Sequence, residues 1–252
     1  MKRLSRLMRN LPRECAALTA CAALALLVGC VNASDGGGGP GKSAEDSQHD
    51  TPDTGTTHAV NGSIHVAAGQ KAGDVSTVNG SIRVDENATI TSGTTVNGGI
   101  SVAAQSTAEE LKTVNGGITL GHGVHVTRAV NAVNGGVTLE PGADIGGEVG
   151  NVNGKIELNT AHVGGGIETV NGDINVGANS HVEGGIHVHK PESSWFNWAS
   201  TNKPRIVIGP GAVVQGDLRF DREVSLYVSD RATVGPVTGA TAVKFSGDTP
   251  PG

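Results

Sequence analysis

Aromatic residues are scarce in this chain, whose 252 residues include three Phe, two Trp and one Tyr. A core built on large rings is therefore excluded, and burial must rely on Val, Ile, Leu and Ala. Apolar spacing with the helical period of 3.6 is also missing from residues 58–188. The chain carries no G-x-S-x-G sequence, and after the first 30 residues it has no cysteine. We therefore find no candidate nucleophile and expect no enzymatic activity.

A Val-Asn-Gly tripeptide is present in seven copies. Successive copies are separated by 18, 18, 18, 19, 19 and 18 residues. A constant short period is typical of a solenoid, in which each repeat packs only on its neighbours. The asparagines of these copies, which we assign to a structural corner, are Asn61, Asn79, Asn97, Asn115, Asn134, Asn153 and Asn171.

Aliphatic residues inside each repeat are separated by alternating steps of four and two. From Val114 they recur at Ile118, Leu120, Val124, Val126 and Val130. A step of two keeps side chains on one side of a strand, and a step of four carries the chain round a corner. We therefore predict an all-β fold, a single-stranded parallel β-helix with three sides and 18 residues per coil. Parallel crossovers favour a right-handed helix, although left-handed hexapeptide helices also have six-residue sides.

The corner residues support this prediction. Asn and Gly both tolerate a left-handed backbone, and stacked Asn side chains can form a hydrogen-bonded ladder. We place the two extra residues of the 19-residue steps just before Val133 and Val152. Some expected inward positions hold polar residues, which we interpret as local bulges. These are Gln70, Ser76, Ser106 and Lys112.

The N-terminus has the layout of a secretory signal. Five basic residues precede an apolar run that ends in Leu27-Val28-Gly29-Cys30, which resembles a bacterial lipoprotein signal. We assign residues 1–29 to the signal peptide, Cys30 to lipidation and residues 30–57 to a lipidated flexible linker. The alternative is an ordinary cleaved signal followed by a spare thiol. The resemblance brings in a sorting rule for such lipoproteins, in which a non-acidic residue after the cysteine favours the outer membrane. Val31 is that residue here.

One segment interrupts the repeat. Residues 58–188 form the Val-Asn-Gly repeat, and residues 189–205 form a proline-bracketed insertion with Trp195, Phe196 and Trp198. These rings either cover aliphatic residues of the solenoid or form an exposed contact for a glycan, a partner or a lipid headgroup. Further coils follow in residues 206–246, and residues 247–252 form a tail.

Charge excludes one class of partner. Removing residues 1–29 takes away five basic residues and Glu14, which leaves 13 basic and 23 acidic residues and a net charge of −10. Such an acidic chain argues against nucleic acid binding. The nearest approach to a metal cluster is His162, His181, His187 and His189, which lack the defined spacing of a zinc site. We therefore expect no metal and no cofactor.

The stretch IVIGPGAVVQGDLRFDREVSLYVSDRATVGPVTG, from Ile206 to Gly239, resembles bactofilins. The repeats from Val60 to Val176 resemble glycine-rich β-solenoid proteins grouped as adhesins. The bactofilin resemblance implies a right-handed triangular helix and end-to-end polymerisation without nucleotide. This chain departs from typical cytosolic bactofilins, because it carries a lipoprotein signal that they lack.

Three functions remain open. The first is a structural, self-assembling lipoprotein of the bacterial cell envelope, anchored to the membrane by its lipid and homo-oligomeric through end-on stacking of coils. The second is a surface adhesin that contacts the cell wall or a glycan through the Trp195–Trp198 segment or a polar face. The third is a hexapeptide-type acyltransferase. The lightly covered ends of the predicted helix favour the first, because bare strand edges template further strands.

Overall fold

A computed structural model describes residues 49–50, 55–191 and 203–250. Within these ranges every regular element is a β-strand, every strand pair is parallel, and paired residues are mostly 18 or 19 apart. The predicted β-solenoid is confirmed. None of the described residues belongs to a helix capable of crossing a membrane.

The strands are short and follow one another along the whole described chain. In chain order the first thirteen are β1 His49–Asp50, β2 Thr57–Asn61, β3 Ile64–Val66, β4 Lys71–Asn79, β5 Ile82–Val84, β6 Thr89–Asn97, β7 Ile100–Val102, β8 Thr107–Asn115, β9 Ile118–Leu120, β10 His125–Asn134, β11 Val137–Leu139, β12 Asp144–Ile145 and β13 Val149–Asn153. The remaining thirteen are β14 Ile156–Leu158, β15 His162–Val163, β16 Ile167–Thr169, β17 Ile174–Val176, β18 His181–Val182, β19 Ile186–Val188, β20 Arg205–Ile208, β21 Val213–Val214, β22 Leu218–Phe220, β23 Ser225–Ser229, β24 Thr233–Val234, β25 Val237–Thr238 and β26 Ala242–Phe245.

These strands form three faces. The first face is an 11-stranded sheet in the order β1-β3-β5-β7-β9-β11-β14-β17-β20-β23-β26. The second face contains β12, β15, β18, β21 and β24, and the third face contains β13, β16, β19, β22 and β25. Strands β4, β6, β8 and β10 run across both of these faces, so the two belong to one 15-stranded sheet. Each coil therefore contributes one segment to each face.

The core is a column of aliphatic side chains that point inward from all three faces. Ile118, Val137, Ile156 and Ile174 stack in register on the first face, and each is at most 1% exposed. Burial of this kind contributes about 25 cal/mol per Å² of apolar surface, which replaces the missing aromatic core.

The register continues across the interruption of the repeat. β17 pairs with β20, so that Ile174 lies beside Ile206 and Val176 beside Ile208. The chain therefore resumes the same column after residues 192–202, which lie outside the described ranges.

The valine was wrongly expected to face the core in six of the seven Val-Asn-Gly copies, the exception being Val170, which is buried. Val114 and Val133 are half-buried and Val60 is 59% exposed, whereas the residues before two of them, Thr113 and Ala132, are buried. The buried threonine stabilises the corner, because Thr113 Oγ1 donates to the carbonyl of Gly98 at 3.0 Å.

In four Val-Asn-Gly copies the glycine has the positive φ predicted for this corner, between 135° and 159°, whereas the asparagine does not. These glycines are Gly62, Gly116, Gly135 and Gly154. Non-glycine residues with positive φ are not those of the Val-Asn-Gly copies but Asn87, Gln105, Thr160 and Asn179, two or three positions after a first-face strand. Close stacking of the coils is a second reason for the glycine after the asparagine. A Cβ on Gly98 would lie 2.0 Å from the carbonyl oxygen of Gly80 one coil earlier, so only glycine fits.

The phase of the third face was predicted one residue late in the early 18-residue coils, although Val163 and Ile167 of a later one are buried as predicted. Val75 and Leu111 are fully buried, while Ser76 and Lys112 lie outward. At the corner between the second and third faces, the last inward residue of one face and the first of the next are three positions apart in the early coils, as Ala108 and Leu111 are. This separation becomes four where β10 contains a bulge between Val126 and Ala129. The extra residue of the 19-residue repeats therefore lies there and not before Val133 or Val152.

The other two polar positions behave differently. Ser106 does point inward, is 1% exposed, and donates to the carbonyl of Asp85 at 2.7 Å. Gln70 is half-buried and its side-chain Oε1 accepts from the amide of Ala67 at 3.1 Å. Neither position disturbs the column.

Candidate functional site

A continuous asparagine ladder follows one corner, as the sequence predicts. In each step the Nδ2 of one asparagine donates to the Oδ1 of the asparagine one coil earlier. The six distances lie between 2.8 and 3.1 Å. These amides are exposed, so the ladder stabilises the corner and offers no enclosed site.

The ladder ends on a residue that sequence reasoning missed. Arg222 Nη1 donates to the Oδ1 of Asn171 and, at 3.1 Å, to the carbonyl of Val170. A guanidinium thus satisfies the acceptor where no eighth asparagine follows. Arg222 is 51 residues from Asn171 in sequence, and no local pattern pointed to this contact.

The outward column of the first face is polar over most of its length. It runs through His65, Arg83, Ser101, Thr119, Thr138, Glu157 and Asn175 and then continues with Val207, Tyr227 and Val243. Near its end Arg205 lies over the Tyr227 ring at 4.7 Å. Neighbouring groups include ion pairs such as Arg83–Asp85 at 3.1 Å. We find no triad of nucleophile, base and orienting group along it.

The second face carries a histidine–carboxylate network that crosses several coils. His125, Asp144, His162 and His181 occupy the same outward position in successive coils. Asp144 accepts from His125 Nδ1 at 2.8 Å and from His162 Nδ1 at 2.5 Å. His162 Nε2 lies 3.3 Å from Glu183, and the rings of His162 and His181 stack with centroids 5.6 Å apart.

This network shifts two titrating groups in opposite directions. Hydrogen bonding to Asp144 raises the pKa of His162 above its usual value, against the opposing effect of burial. The same bond, helped by His125, lowers the pKa of Asp144. Both shifts favour the charged forms of His162 and Asp144 in the folded protein.

The third face carries a second group, which we call the third-face cluster: Glu168, His187 and His189. One ligand atom from each residue lies within 4.8 Å of the other two. His189 Nε2 is 3.2 Å from Glu168 Oε2, and the rings of His187 and His189 have centroids 3.6 Å apart. All three side chains are half-buried.

Acidic residues surround this cluster. His187 Nε2 donates to Asp221 Oδ2 at 2.7 Å, and this bond lowers the pKa of Asp221. Burial raises the pKa of Glu148, with further contributions from the charges of Glu168 and Glu110. The third face is thus locally acidic beside two imidazoles.

The four histidines grouped by sequence do not form one cluster. His162 and His181 lie on the second face, whereas His187 and His189 lie at the third. Sequence spacing missed Glu168 and Asp221, because their approach depends on the coil register and, for Asp221, on the continuation after residue 203.

The other predicted site residues fall outside the described ranges. These are Cys30 and the three aromatic residues Trp195, Phe196 and Trp198.

Comparison with known proteins gives no relative. No protein family, no curated protein and no solved structure matches the chain.

Proposed function

We propose that this protein is a non-enzymatic lipoprotein of the bacterial cell envelope whose β-solenoid assembles end to end. The sequence before residue 31 supports the anchor, since a basic stretch and an apolar run lead to Cys30. The observation that carries the assembly is the incomplete cover of the last coil.

Inward side chains of the last coil are only partly buried. Val234 and Val237 are half-covered, although the equivalent Val214 and Leu218 one coil earlier are 0% exposed. Three alanines of the same coil are also only partly buried: Ala232, Ala240 and Ala242. An apolar end of this kind favours contact with a matching surface.

The strand edges of this coil are unpaired as well. Within the described residues β24, β25 and β26 each pair on one side only, with β21, β22 and β23. An open edge with free backbone groups accepts further strands. The residues after β26 turn away from these strand edges. Asp248 bonds Arg231 at 2.9 Å, and together with Asn175 it lines a cavity of about 470 Å³ beside the first face.

The best partner for this end is the first coil of a second copy. Among the described residues, β2 of the first coil pairs only with β4. The strands of the first coil run parallel to those of the last coil, along the same axis. Head-to-tail contact between two different ends does not close on itself, so it builds short filaments. An acidic surface and a lipid anchor would keep such filaments short and bound to the membrane.

Sedimentation velocity on residues 49–252 tests this proposal, because this fragment keeps β1 and the whole of β2. We expect dimers and short filaments that dissociate when Val237→Asp places a carboxylate on the open end. Val243→Asp is the matched control, because Val243 is in the same coil but points outward and is already 49% exposed.

A strictly monomeric wild type at high micromolar concentration and moderate salt would contradict the proposal. Dissociation by Val243→Asp but not by Val237→Asp would also contradict it, since the contact would then be lateral.

A further inference from the structure

We propose that the third-face cluster, Glu168, His187 and His189, binds a divalent transition-metal ion of the zinc type. The cluster joins two consecutive coils, since Glu168 is in β16 and His187 is in the neighbouring β19, with His189 directly after it. A metal ion there would cross-link the coils just before the 192–202 segment. The inference does not depend on end-on assembly.

The three groups are already close to the geometry of a metal site. Zinc bonds to His nitrogen and carboxylate oxygen are about 2.0–2.2 Å, so neighbouring ligands of a tetrahedral ion lie about 3.3–3.6 Å apart. His189 Nε2 and Glu168 Oε2 are 3.2 Å apart. The ligand atoms of all three residues fall within 4.8 Å, which small side-chain rotations can close.

The ligand types select the class of ion. Two imidazoles and one carboxylate suit zinc, copper, nickel or iron, whereas calcium and magnesium prefer sites made of oxygen alone. Three protein ligands leave the fourth tetrahedral position to water or to a group of a partner.

Partial burial and an orienting partner strengthen the site. The side chains of His187 and His189 are each 17% exposed and that of Glu168 is 24% exposed. Asp221 accepts from His187 Nε2–H at 2.7 Å, which fixes the ring and leaves its other nitrogen for the ion. Glu148 lies close enough to Glu168 for their charges to repel each other, and a bound cation would relieve that repulsion.

The His162, His181 and Glu183 group on the second face also has its ligand atoms within 4.8 Å. It is the weaker candidate, because His162 bonds carboxylates through both ring nitrogens and the Glu183 side chain is 54% exposed. We therefore use it as the matched control.

Zinc binding to the full chain, purified in detergent without a histidine tag, tests the assignment. Cys15, Cys21 and Cys30 are replaced by serine, because thiolates would bind zinc themselves. Competition with a chromogenic chelator and equilibrium dialysis should give one saturable zinc per chain, with no comparable uptake of calcium. Zinc should also raise the melting temperature.

The variants locate the ion. We expect His187→Asn/His189→Asn and Glu168→Gln to abolish the binding, and Asp221→Asn to weaken it by about 10–100-fold. The control pair His162→Asn/His181→Asn should bind as the wild type does. Circular dichroism checks folding, and the isosteric Glu168→Gln decides the matter if the double histidine variant misfolds.

Three outcomes would overturn the assignment: no saturable zinc in the wild type, binding retained when Glu168 is replaced, or binding lost in the control pair. The last would move the ion to the second face.

Discussion

Arg222 ends the asparagine ladder by donating its guanidinium hydrogen bond to the Oδ1 of Asn171. Each earlier asparagine receives this bond from the amide of the next coil, but the coil after Asn171 supplies none. The arginine also bonds the Val170 carbonyl at 3.1 Å, so one side chain satisfies two acceptors at the end of the ladder.

Replacing Arg222 with alanine should therefore destabilise the solenoid. We expect a loss of about 1 kcal/mol in the free energy of unfolding, the usual value for an exposed but charge-assisted hydrogen bond. Urea denaturation followed by circular dichroism measures it. Arg231→Ala is the control, because Arg231 and its partner Asp248 are 62% and 89% exposed and should contribute almost nothing. Equal effects of the two changes would show that Arg222 does not cap the ladder.

Two glycines that differ in their surroundings should differ in their tolerance of alanine. A Cβ at position 98 would lie 2.0 Å from the Gly80 carbonyl oxygen, whereas one at position 69 would meet nothing within 4 Å. Gly98→Ala should cost about 3 kcal/mol or more, because neighbouring coils must separate. Gly69→Ala should cost only about 1–2 kcal/mol, the strain of a positive φ of 73°. A thermal melt of both variants checks the order, and a reversed order would disprove the close stacking at this corner.

The Asp144–His162 bond should make stability depend on pH at both ends of a window. The pKa of Asp144 is lowered, so its contribution is present above its unfolded pKa of about 3.9 and is lost as pH falls further. The pKa of His162 is raised, so its contribution is complete below its unfolded pKa of about 6.5 and is lost as pH rises through the folded value. Stabilisation by the pair is therefore greatest between these limits.

Comparing the wild type with Asp144→Asn from pH 3 to pH 9 measures this window. The difference in unfolding free energy should be largest near pH 5 and should decrease on both sides. In a His162→Gln background the decrease on the alkaline side should weaken, because the raised pKa of His162 is its cause. A difference that stays constant with pH would show that the bond does not form in solution.

The sequence predicts the coil, because aliphatic residues such as Ile118 and Leu120 are separated by two and recur at the coil length. It predicts the phase of the corners less well. Val114 is apolar yet half-exposed, and Thr113 before it is polar yet buried. A hydroxyl that bonds a carbonyl can lie inside a corner, and hydrophobicity alone does not predict that.

The histidine clusters could be identified only from the register between neighbouring strands. His187 and Glu168 are paired because β16 and β19 are neighbours, and Asp221 joins them only because β22 follows across the 192–202 segment. The separation of 19 between Glu168 and His187 equals one coil and is compatible with stacking, whereas the separation of 34 between His187 and Asp221 gives no direct sign of a contact. The asparagine ladder could be predicted because a single residue type repeats at the coil period, whereas these clusters combine different residues from successive coils.

The anchor prediction concerns Cys30, which lies outside the described residues. Cys30→Ser should abolish incorporation of a labelled fatty acid, because the thiol is the group that would be acylated, and should leave residues 1–29 attached. Two chains bind a membrane firmly where one is marginal, so the unlipidated domain should be released once that segment is removed. Cys21→Ser is the control, since Cys21 would leave with the signal and its replacement should change neither labelling nor size. A Cys30→Ser protein of mature size that stays in the membrane fraction would disprove the anchor while leaving end-on assembly of the solenoid open, because the two rest on different parts of the chain.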